Sequence, residues 1–397
     1  MMRRMFFLVL FAWATLWSTY AAASEAIALS DGGVLDDAGS ATEAAPANEV
    51  AVDSGSPVIE DEGTSGPPTA AGTTGHGFRV RPGLEVFAQY TYRNARAEDG
   101  GRSWYHEFDL PRVHGSLDAE VEQVRARVLI EGVRSAGAGS LVGVATNSFV
   151  LRVREAYAAY RPVPLLEVYG GMVPTFTVPE FDGTSRLRPV AISALEGYAI
   201  SSPADLGAGA RITFPKKYGF VGVGLYNGEG YASPDLNRGK SLEGAVEVHP
   251  LPNGPLLPLG LFASYVSGSV GAERSRADRA TLLFVWQGKR LRAGLGGTYA
   301  WGIASNGIQE AVLLDAFVRA EPLARVLLGA RATHFVRDTS VSPLDAVTNL
   351  TGTVGYRVAD PMESFLAVSK QAPTDFARGI LPGSDAWEVR AVTRIAF

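Results

Sequence analysis

The last eleven residues of the chain, Trp387–Phe397, read WEVRAVTRIAF. In an extended strand, successive side chains point to opposite faces of the sheet. One face of this stretch therefore holds the side chains of Trp387, Val389, Ala391, Thr393, Ile395 and Phe397. The other face holds those of Glu388, Arg390, Val392, Arg394 and Ala396. The pattern predicts a strand with one apolar and one charged face, and the rest of the chain has to show which solvent meets each.

The same two-residue period recurs from Phe78 to the C-terminus, where a helical period is hard to find. About sixteen strand candidates alternate with connections of two kinds. Short turns such as Glu122–Gln123 and Gly288–Arg290 alternate with longer polar segments such as Arg93–Leu110 and Val173–Ala204. Outer-membrane barrels have short periplasmic turns and long extracellular loops. The sequence therefore predicts an all-β fold over residues 78–397: a transmembrane antiparallel β-barrel of about 16 strands with short periplasmic turns and long extracellular loops.

The predicted outer face of one strand supports a barrel over a soluble sandwich. It carries aliphatic residues in the middle and aromatic residues at the loop end, in the order Leu291, Ala293, Leu295, Gly297, Tyr299 and Trp301. Aromatic rings at the end of an apolar band suit a membrane interface. A propeller would show a repeat of about 40–50 residues, and none is seen. Hydrocarbon outside also requires closure, because an open sheet edge would leave backbone groups unpaired.

Two segments precede the predicted barrel. Residues 1–23 combine a charged start (MMRR), an apolar run and the small residues Ala21–Ala23, which predicts a signal peptide and export. Residues 24–77 contain ten acidic residues and no Lys or Arg, which predicts an acidic disordered linker. The whole chain has net charge −5, whereas the part from residue 78 holds 34 basic and 31 acidic residues. Together with the barrel pattern, these features predict a protein of the bacterial outer membrane, in contact with its lipids.

Arginines recur two or four residues apart and are the main candidates for function. An arginine that faces lipid near the bilayer midplane costs roughly 2–4 kcal/mol, so those within strands should face the lumen. Guanidinium groups on the wall of an aqueous channel favour anions and match the geometry of phosphate and carboxylate. The predicted pore-lining, anion-attracting residues are Arg125, Arg127, Arg152, Arg154, Arg186, Arg188, Arg390 and Arg394.

Two questions stay open from the residues alone. The lumen faces also carry Glu120, Glu131, Glu243, Glu247 and Glu388, so the arginines either attract small anionic solutes or pair with these acids to stiffen the wall. The long connection Val173–Ala204 either folds inward, bringing Arg186 and Arg188 to a constriction, or caps the outside.

Enzyme chemistry finds little support. The chain has no cysteine, and its five histidines lack metal-ligand spacing. His114 and Ser116 share a strand face, but no partner acid is assignable. We expect no catalytic residues, no cofactor, no metal and no nucleic-acid partner. The alternative to a channel is a non-conducting structural or adhesive outer-membrane barrel.

Several segments resemble the phosphate-selective porin O and P family. RVREAYAAYRPVPLLEVYGGMVPTF resembles its acidic-Ala-Tyr strand, short turn and glycine-initiated segment leading through proline to phenylalanine, here Glu155, Gly171, Pro174 and Phe176. FDLPRVHGSLDAEV, ADLGAGARITF and VGVGLYNGEGYASPDLNRGK resemble its second strand and central hairpin.

The resemblance covers roughly residues 108–250. It implies a sixteen-stranded, commonly trimeric diffusion channel with an inward third loop, in a family in which arginine and lysine ladders serve phosphate uptake. The final strand, ending in Phe397, resembles the assembly signal read by the barrel-assembly machinery.

Overall fold

The computed structural model describes residues 78–97, 100–134, 149–233, 235, 239–250, 258–271, 275–303, 306–341, 344–380 and 384–397. The predicted signal peptide (1–23) and acidic linker (24–77) lie outside the described residues. Over the ranges given, no helix has the length and apolar character needed to cross a membrane.

Sixteen antiparallel strands within these ranges form one closed barrel, and each pairs with its neighbours along the chain. The first eight are β1 (Arg79–Arg96), β2 (Arg102–Val121), β3 (Val124–Arg134), β4 (Phe149–Val163), β5 (Leu166–Pro174), β6 (Ala204–Phe214), β7 (Gly219–Tyr226) and β8 (Ser241–Val248). The others are β9 (Leu259–Ser267), β10 (Asp278–Gln287), β11 (Leu291–Ile303), β12 (Asn306–Leu323), β13 (Val326–Asp338), β14 (Asp345–Ala359), β15 (Met362–Pro373) and β16 (Ala386–Ala396). The predicted fold class and strand number are confirmed.

The C-terminal strand closes the barrel, since β16 pairs with β1 in a register that sets Glu85 opposite Ala396 and Ala95 opposite Ala386. The backbone N–H of Phe397 donates to the carbonyl of Leu84 at 2.9 Å, which extends this ladder to the last residue. Trp387 is half exposed on the outer face, whereas Arg390 and Arg394 make ion pairs inside. The alternation in the closing strand thus separates an apolar exterior from a charged interior.

The exterior is apolar along its length. Leu295 is 61% exposed, Phe284 52% and Leu314 50%, although each lies in the middle of a strand. Near the loop end, the Tyr299 ring lies 4.6 Å from the Trp301 ring and the Tyr265 ring 6.5 Å from it. An apolar band bordered by aromatic rings is the arrangement of a membrane-facing barrel surface.

One predicted connection is wrong. Residues 93–110 were expected to form a long loop, but β1 continues to Arg96 and β2 begins at Arg102. Both faces of β2 are exposed from Arg102 to Phe108, so neither face needs apolar residues there. The alternation that identifies a strand in sequence is therefore absent from this end of the hairpin.

The connection between β5 and β6, residues 175–203, is here called the inward loop. It contains helix α1 (Thr177–Ser185) and the single-turn helix α2 (Ala194–Gly197). Val178, Phe181 and Leu195 are at most 1% exposed and pack against inward side chains of the barrel wall. The loop therefore folds into the barrel, as the family resemblance implies. The last helix, α3 (Asp375–Ile380), lies in the connection that precedes β16.

Candidate functional site: a lumen with two unlike walls

One side of the lumen is hydrophobic. We call it the apolar wall; its buried, inward-facing residues are Phe220, Phe262, Leu283, Val285, Leu313, Phe317, Leu327, Phe335 and Phe365. They form one cluster with Phe176, Phe181, Leu187 and Leu195 of the inward loop. Burial of this apolar surface holds the loop against β7–β13 and β15. A wall that is covered in this way is not available to a water-filled passage.

Glycines in the wall make room for the side chains of the loop. A Cβ placed on Gly222 would lie 2.3 Å from the Phe176 ring, and one on Gly329 would lie 2.5 Å from a Leu187 methyl group. A Cβ placed on Gly296 would lie 3.1 Å from the Phe181 ring. Real Cβ atoms do not approach other atoms as closely as the first two distances require. The loop is thus seated by fitting three side chains over glycines, and this close packing specifies one docked position.

Arginines of the wall also bind the loop through its backbone. Arg390 donates to the carbonyl of Val190 at 2.6 Å, and Arg279 donates to that of Ile200 at 2.7 Å. Arg331 donates to the carbonyls of Ala191 and Ile192 while it forms an ion pair with Asp315. Two further arginines, Arg292 and Arg319, donate to the carbonyls of Gly183 and Arg186. These guanidinium groups satisfy carbonyls that the irregular loop backbone leaves without secondary-structure partners.

The start of α1 is anchored by an acid. Glu243 of β8 is 1% exposed, and its carboxylate accepts the backbone N–H groups of Phe176 and Thr177 at 3.0 and 3.1 Å. The Thr177 hydroxyl donates to the same carboxylate at 2.6 Å. Glu243 was predicted to face the lumen. Its carboxylate pairs there with otherwise unpaired N–H groups at a helix N-terminus, and not with an arginine.

The lumen face of β16 and β1–β4 is charged, and the charges continue onto β12 and β15 beside the apolar wall. We call its connected acids and bases the charge belt, which consists of Arg319, Glu363, Arg394, Glu85, His114, Glu131, Arg152 and Arg154. At the seam between β16 and β1, the Arg394 guanidinium lies 2.6 Å from Glu85 and 3.6 Å from Glu363. His114 lies 3.0 Å from Glu85 and 3.5 Å from Glu131. Acids and bases thus alternate across the closure of the barrel.

Glu131 is the most connected member of the belt. It is fully buried, and its carboxylate lies 2.7 Å from Arg152 and 3.6 Å from Arg154. Tyr231, from the connection between β7 and β8, donates its hydroxyl to Glu131 at 2.9 Å and accepts from Arg152 at 2.8 Å. The Arg154 guanidinium lies over the Tyr231 ring, 5.7 Å from its centre. Tyr231 therefore fastens a second loop to the charged side.

A β-bulge increases the charge at this point. The register of β3 and β4 shifts between Leu129 and Ile130, which face Glu155 and Val153, so Arg154 has no strand partner of its own. Arg154 and Glu155 are consecutive, yet both are buried within the barrel. A bulge re-aims side chains and breaks the alternation. The sequence pattern alone would have sent one of these two charges outward.

The lumen widens at the turn end of the barrel. An open cavity of about 720 Å³ lies there, between β1–β6 and the start of the inward loop. Six arginines and four acidic residues line it, together with the rings of Tyr157, Tyr169, Phe176 and Phe220. The charged lining consists of Arg79, Arg81, Arg125, Arg127, Arg161, Arg211, Asp118, Glu120, Glu167 and Glu180. The excess of arginines gives the cavity a positive potential.

The structure places each predicted arginine inside the barrel, and ion pairs dominate their surroundings. Arg125 binds Glu167 at 2.9 Å, and Arg127 binds both Asp118 and Glu155. Arg152, Arg154 and Arg394 belong to the charge belt, while Arg390 binds Glu388 at 2.6 Å. In the inward loop, Arg188 lies 3.4 Å from Asp182, and Arg186 ends α1 in a left-handed conformation with φ of 49°. Arg125 and Arg127 line the cavity, whereas the other six do not.

Sequence reasoning missed three groups of residues. Tyr231 and the carbonyl-binding arginines other than Arg390 act on partners far away in the chain, for which a single sequence gives no signal. Arg161 and Arg211 also line the cavity but lack the two-residue spacing that singled out the other arginines. The apolar wall could have been suspected from β10, where LLFVW is apolar at five consecutive positions, as expected for a strand that is apolar on both faces.

One carboxyl group of the inward loop contributes little negative charge. Burial raises the pKa of Glu196 to about 8, although the positive charges of Arg188 and Arg154 oppose this effect. Glu196 is 1% exposed, and neither of its carboxyl oxygens has a hydrogen-bond partner among the described residues. At neutral pH this carboxyl is mainly protonated, so it does not offset the arginines around it.

Solved structures of outer-membrane channels share this architecture. The anion-selective porin from Comamonas acidovorans matches with a TM-score of 0.56 at 12% identity, over 81% of this chain and 100% of that chain. The outer-membrane channel DcaP of Acinetobacter baumannii matches with a TM-score of 0.55 at 12% identity, over 83% and 100%. Salmonella typhi OmpF, in complex with daunomycin, matches with a TM-score of 0.60 at 9% identity, over 82% and 99%.

These likenesses concern the fold. The chain has the closed sixteen-stranded barrel of outer-membrane porins, over nearly the full length of each structure compared. No protein-family model matches the sequence, and no curated protein sequence does. The resemblance to the phosphate-selective family therefore stays a prediction.

Proposed function

We propose that the chain is a porin of the bacterial outer membrane, a water-filled channel for passive diffusion of small hydrophilic solutes that prefers anions. The observation that carries this proposal is the turn-end cavity of about 720 Å³, in which arginines outnumber acids by six to four. The apolar exterior with its aromatic border supports the membrane location. The polar passage then runs between the inward loop and the charge belt.

Partial exposure of charged side chains inside the barrel supports such a passage. The side chains of Arg394 and Arg152 are 31% and 26% exposed although they lie on inward faces. Water therefore reaches the charged side of the lumen, whereas the apolar wall is covered. Because most inward arginines are paired with acids, the structure favours a general preference for anions over a strict phosphate site. Phosphate remains one candidate among the small anions.

The remaining partners are proposals of the same kind. Homotrimer formation follows from the family resemblance, and one structure of similar fold, OmpT of Vibrio cholerae, has been solved as a trimer. The C-terminal strand and Phe397 are proposed as the signal for the barrel-assembly machinery. Phe397 suits this role because it is 76% exposed at the end of the closing strand.

Recordings in planar lipid bilayers test the channel. We expect discrete conductance steps from the refolded protein and, under a salt gradient, a reversal potential of the sign that anion preference gives. A reversal potential of the opposite sign would refute anion preference and leave the pore intact. The control is the same preparation after heat denaturation.

The second candidate, a non-conducting structural or adhesive barrel, is favoured by one observation. Arg154 and Glu131 are fully buried and Glu196 is 1% exposed, although all three lie inside the barrel. Water does not reach them, so the inward loop fills much of the lumen. Silence in bilayers from protein that is shown to be folded, by its resistance to unfolding in SDS without heating, would support this candidate.

A further inference from the structure

A shortage of negative charge lies where β5 meets β6 at the edge of the cavity. Glu167 and Arg211 are direct cross-strand partners, and both line the cavity. The Glu167 carboxylate nevertheless binds two other arginines, Arg125 at 2.9 Å and Arg161 at 2.5 Å. One carboxylate is thus shared among arginines on β3 and β4, and the arginine directly opposite it is left out.

Arg211 has no acid of its own. In the described part of the chain, no carboxylate oxygen lies within 4.0 Å of its guanidinium nitrogens. Its guanidinium lies over the Phe220 ring, 3.7 Å from the ring centre, and its buried Nε has no hydrogen-bond partner. Stacking on an aromatic face holds the guanidinium plane in place. Arg211 is therefore a cation in a fixed position whose N–H groups are available as hydrogen-bond donors.

Its surroundings are aromatic. The Phe176 ring stacks near Phe220 with centres 6.0 Å apart, and both rings line the cavity. Gly209, two residues before Arg211, lacks the Cβ that would lie 2.7 Å from the Tyr169 ring, so this ring reaches over the strand toward the same region. Three rings thus border the space next to a fixed guanidinium.

One acid acts on Arg211 from a distance. Glu180 of the inward loop also lines the cavity, and the charge of Arg211 lowers its pKa. Burial and the nearby Glu247 outweigh this effect and raise the pKa of Glu180 to about 7. At neutral pH Glu180 is ionised only part of the time, so it balances Arg211 incompletely.

We propose that Arg211 anchors a binding subsite for an organic carboxylate with an aromatic body. The carboxylate accepts paired hydrogen bonds from the guanidinium edge, and the apolar body lies against the half-buried Tyr169 ring and the edge of Phe176, while the buried Phe220 ring holds the guanidinium from its other face. Inorganic phosphate would gain the charge but not the apolar contact, so it binds more weakly. This proposal rests on the proposed function, whose solute class it narrows to aromatic carboxylates.

Binding is measurable without conductance. In ¹⁹F NMR of 4-fluorobenzoate with the full-length protein folded in detergent at pH 7, the probe signal should broaden with wild-type protein. Arg211→Gln should weaken the apparent affinity about tenfold or more, because it removes the charge-assisted hydrogen bonds. Arg211→Lys should retain part of the affinity. The matched control is Arg290→Gln, at an exposed turn position outside the cavity lining, which should bind like wild type.

The outcomes separate this proposal from the proposed function. Equal broadening by wild type and Arg211→Gln overturns the subsite, whatever the bilayer recordings show. The subsite is also overturned if inorganic phosphate displaces 4-fluorobenzoate as effectively as benzoate does, because the aromatic body would then contribute nothing to binding. Binding that depends on Arg211, in a protein that never conducts, would support the subsite and refute the proposed channel.

Discussion

Strand β10 turns Leu283 and Val285 into the lumen, whereas strand β3 turns Arg127 and Glu131 inward. Both strands turn apolar residues outward, Leu282 and Phe284 in the first and Val128 and Ile130 in the second. The exterior is thus uniform and the interior is not. One half of the lumen is packed like the core of a soluble protein, and the inward loop forms the second layer of that core. The other half is built from ion pairs.

The difference shows that an inward arginine has two possible roles in one barrel. Arg331 is 5% exposed and binds two loop carbonyls and Asp315, so it belongs to the packed half as a structural group. The side chain of Arg125 is 35% exposed in the cavity and binds one acid that it shares with Arg161. An arginine of the first kind contributes to loop docking, and one of the second kind contributes to the potential that a solute meets.

The largest effect is expected from removal of a docking side chain of the inward loop. Phe181→Ala should destabilise the docked loop by about 3–5 kcal/mol, because Phe181 is 1% exposed within the apolar cluster. Trypsin is too large to enter the barrel, so it should cut after Arg186 only when the loop leaves the lumen. We expect cleavage in liposomes for the variant and none for wild type.

Phe284→Ala is the matched control, because Phe284 is 52% exposed on the outer face of β10. It removes the same side chain and should leave the loop protected. Protection of Arg186 in both variants would mean that apolar packing does not hold the loop. The arginine–carbonyl contacts would then carry the docking.

The charge belt should be almost as sensitive. Glu131→Gln should cost about 3 kcal/mol of barrel stability, because it leaves buried positive charge at Arg152 and Arg154 uncompensated. The measurement is the temperature at which the folded band disappears in SDS gel electrophoresis. Glu120→Gln, at a partly exposed acid of the cavity lining, should change this temperature little. Equal shifts in the two variants would argue against a structural role for the belt.

Strand number, closure and the facing of residues follow from the sequence because lipid imposes one rule on every strand. Arg390 and Arg394 face inward, as their cost in hydrocarbon requires. The hairpin of β1 and β2 was misjudged at its loop end, where both faces of β2 are exposed from Arg102 to Phe108 and neither lipid nor core constrains the sequence. Prediction failed where the physical constraint was missing.

The site was less predictable, because its partners are assembled by the fold. Arg390 looked like a lumen cation, but the carbonyl of Val190 that it binds is 200 residues away in the chain. Arg154 faces inward together with Glu155 only because β4 has a bulge. Alternation identifies the face of a residue, but it does not identify the partner.

A smaller effect is expected when a methyl group is added to a glycine of the barrel wall that lies against the inward loop. Gly222→Ala should destabilise docking by about 1–2 kcal/mol, because the added Cβ would lie 2.3 Å from the Phe176 ring and the ring has to shift. In the trypsin assay we expect slow cleavage after Arg186, intermediate between wild type and Phe181→Ala. Gly244→Ala is the control, since a Cβ at Gly244 meets nothing within 4 Å. Full protection of Arg186 from trypsin in the Gly222 variant would show that the barrel wall shifts enough at this position to accept the added methyl group.

The smallest effect on stability is expected at Arg125, in the charged half. Arg125→Gln breaks one partly exposed ion pair and leaves Glu167 bound to Arg161, so stability should change by about 0.5 kcal/mol or less. The reversal potential under a salt gradient should nevertheless move toward zero, because a cation is lost from the cavity lining. The control Arg290→Gln should leave it unchanged. If Arg125→Gln instead lowers the unfolding temperature as Glu131→Gln does and leaves the reversal potential in place, then the charged half is a second structural core, and the contrast between the two walls disappears.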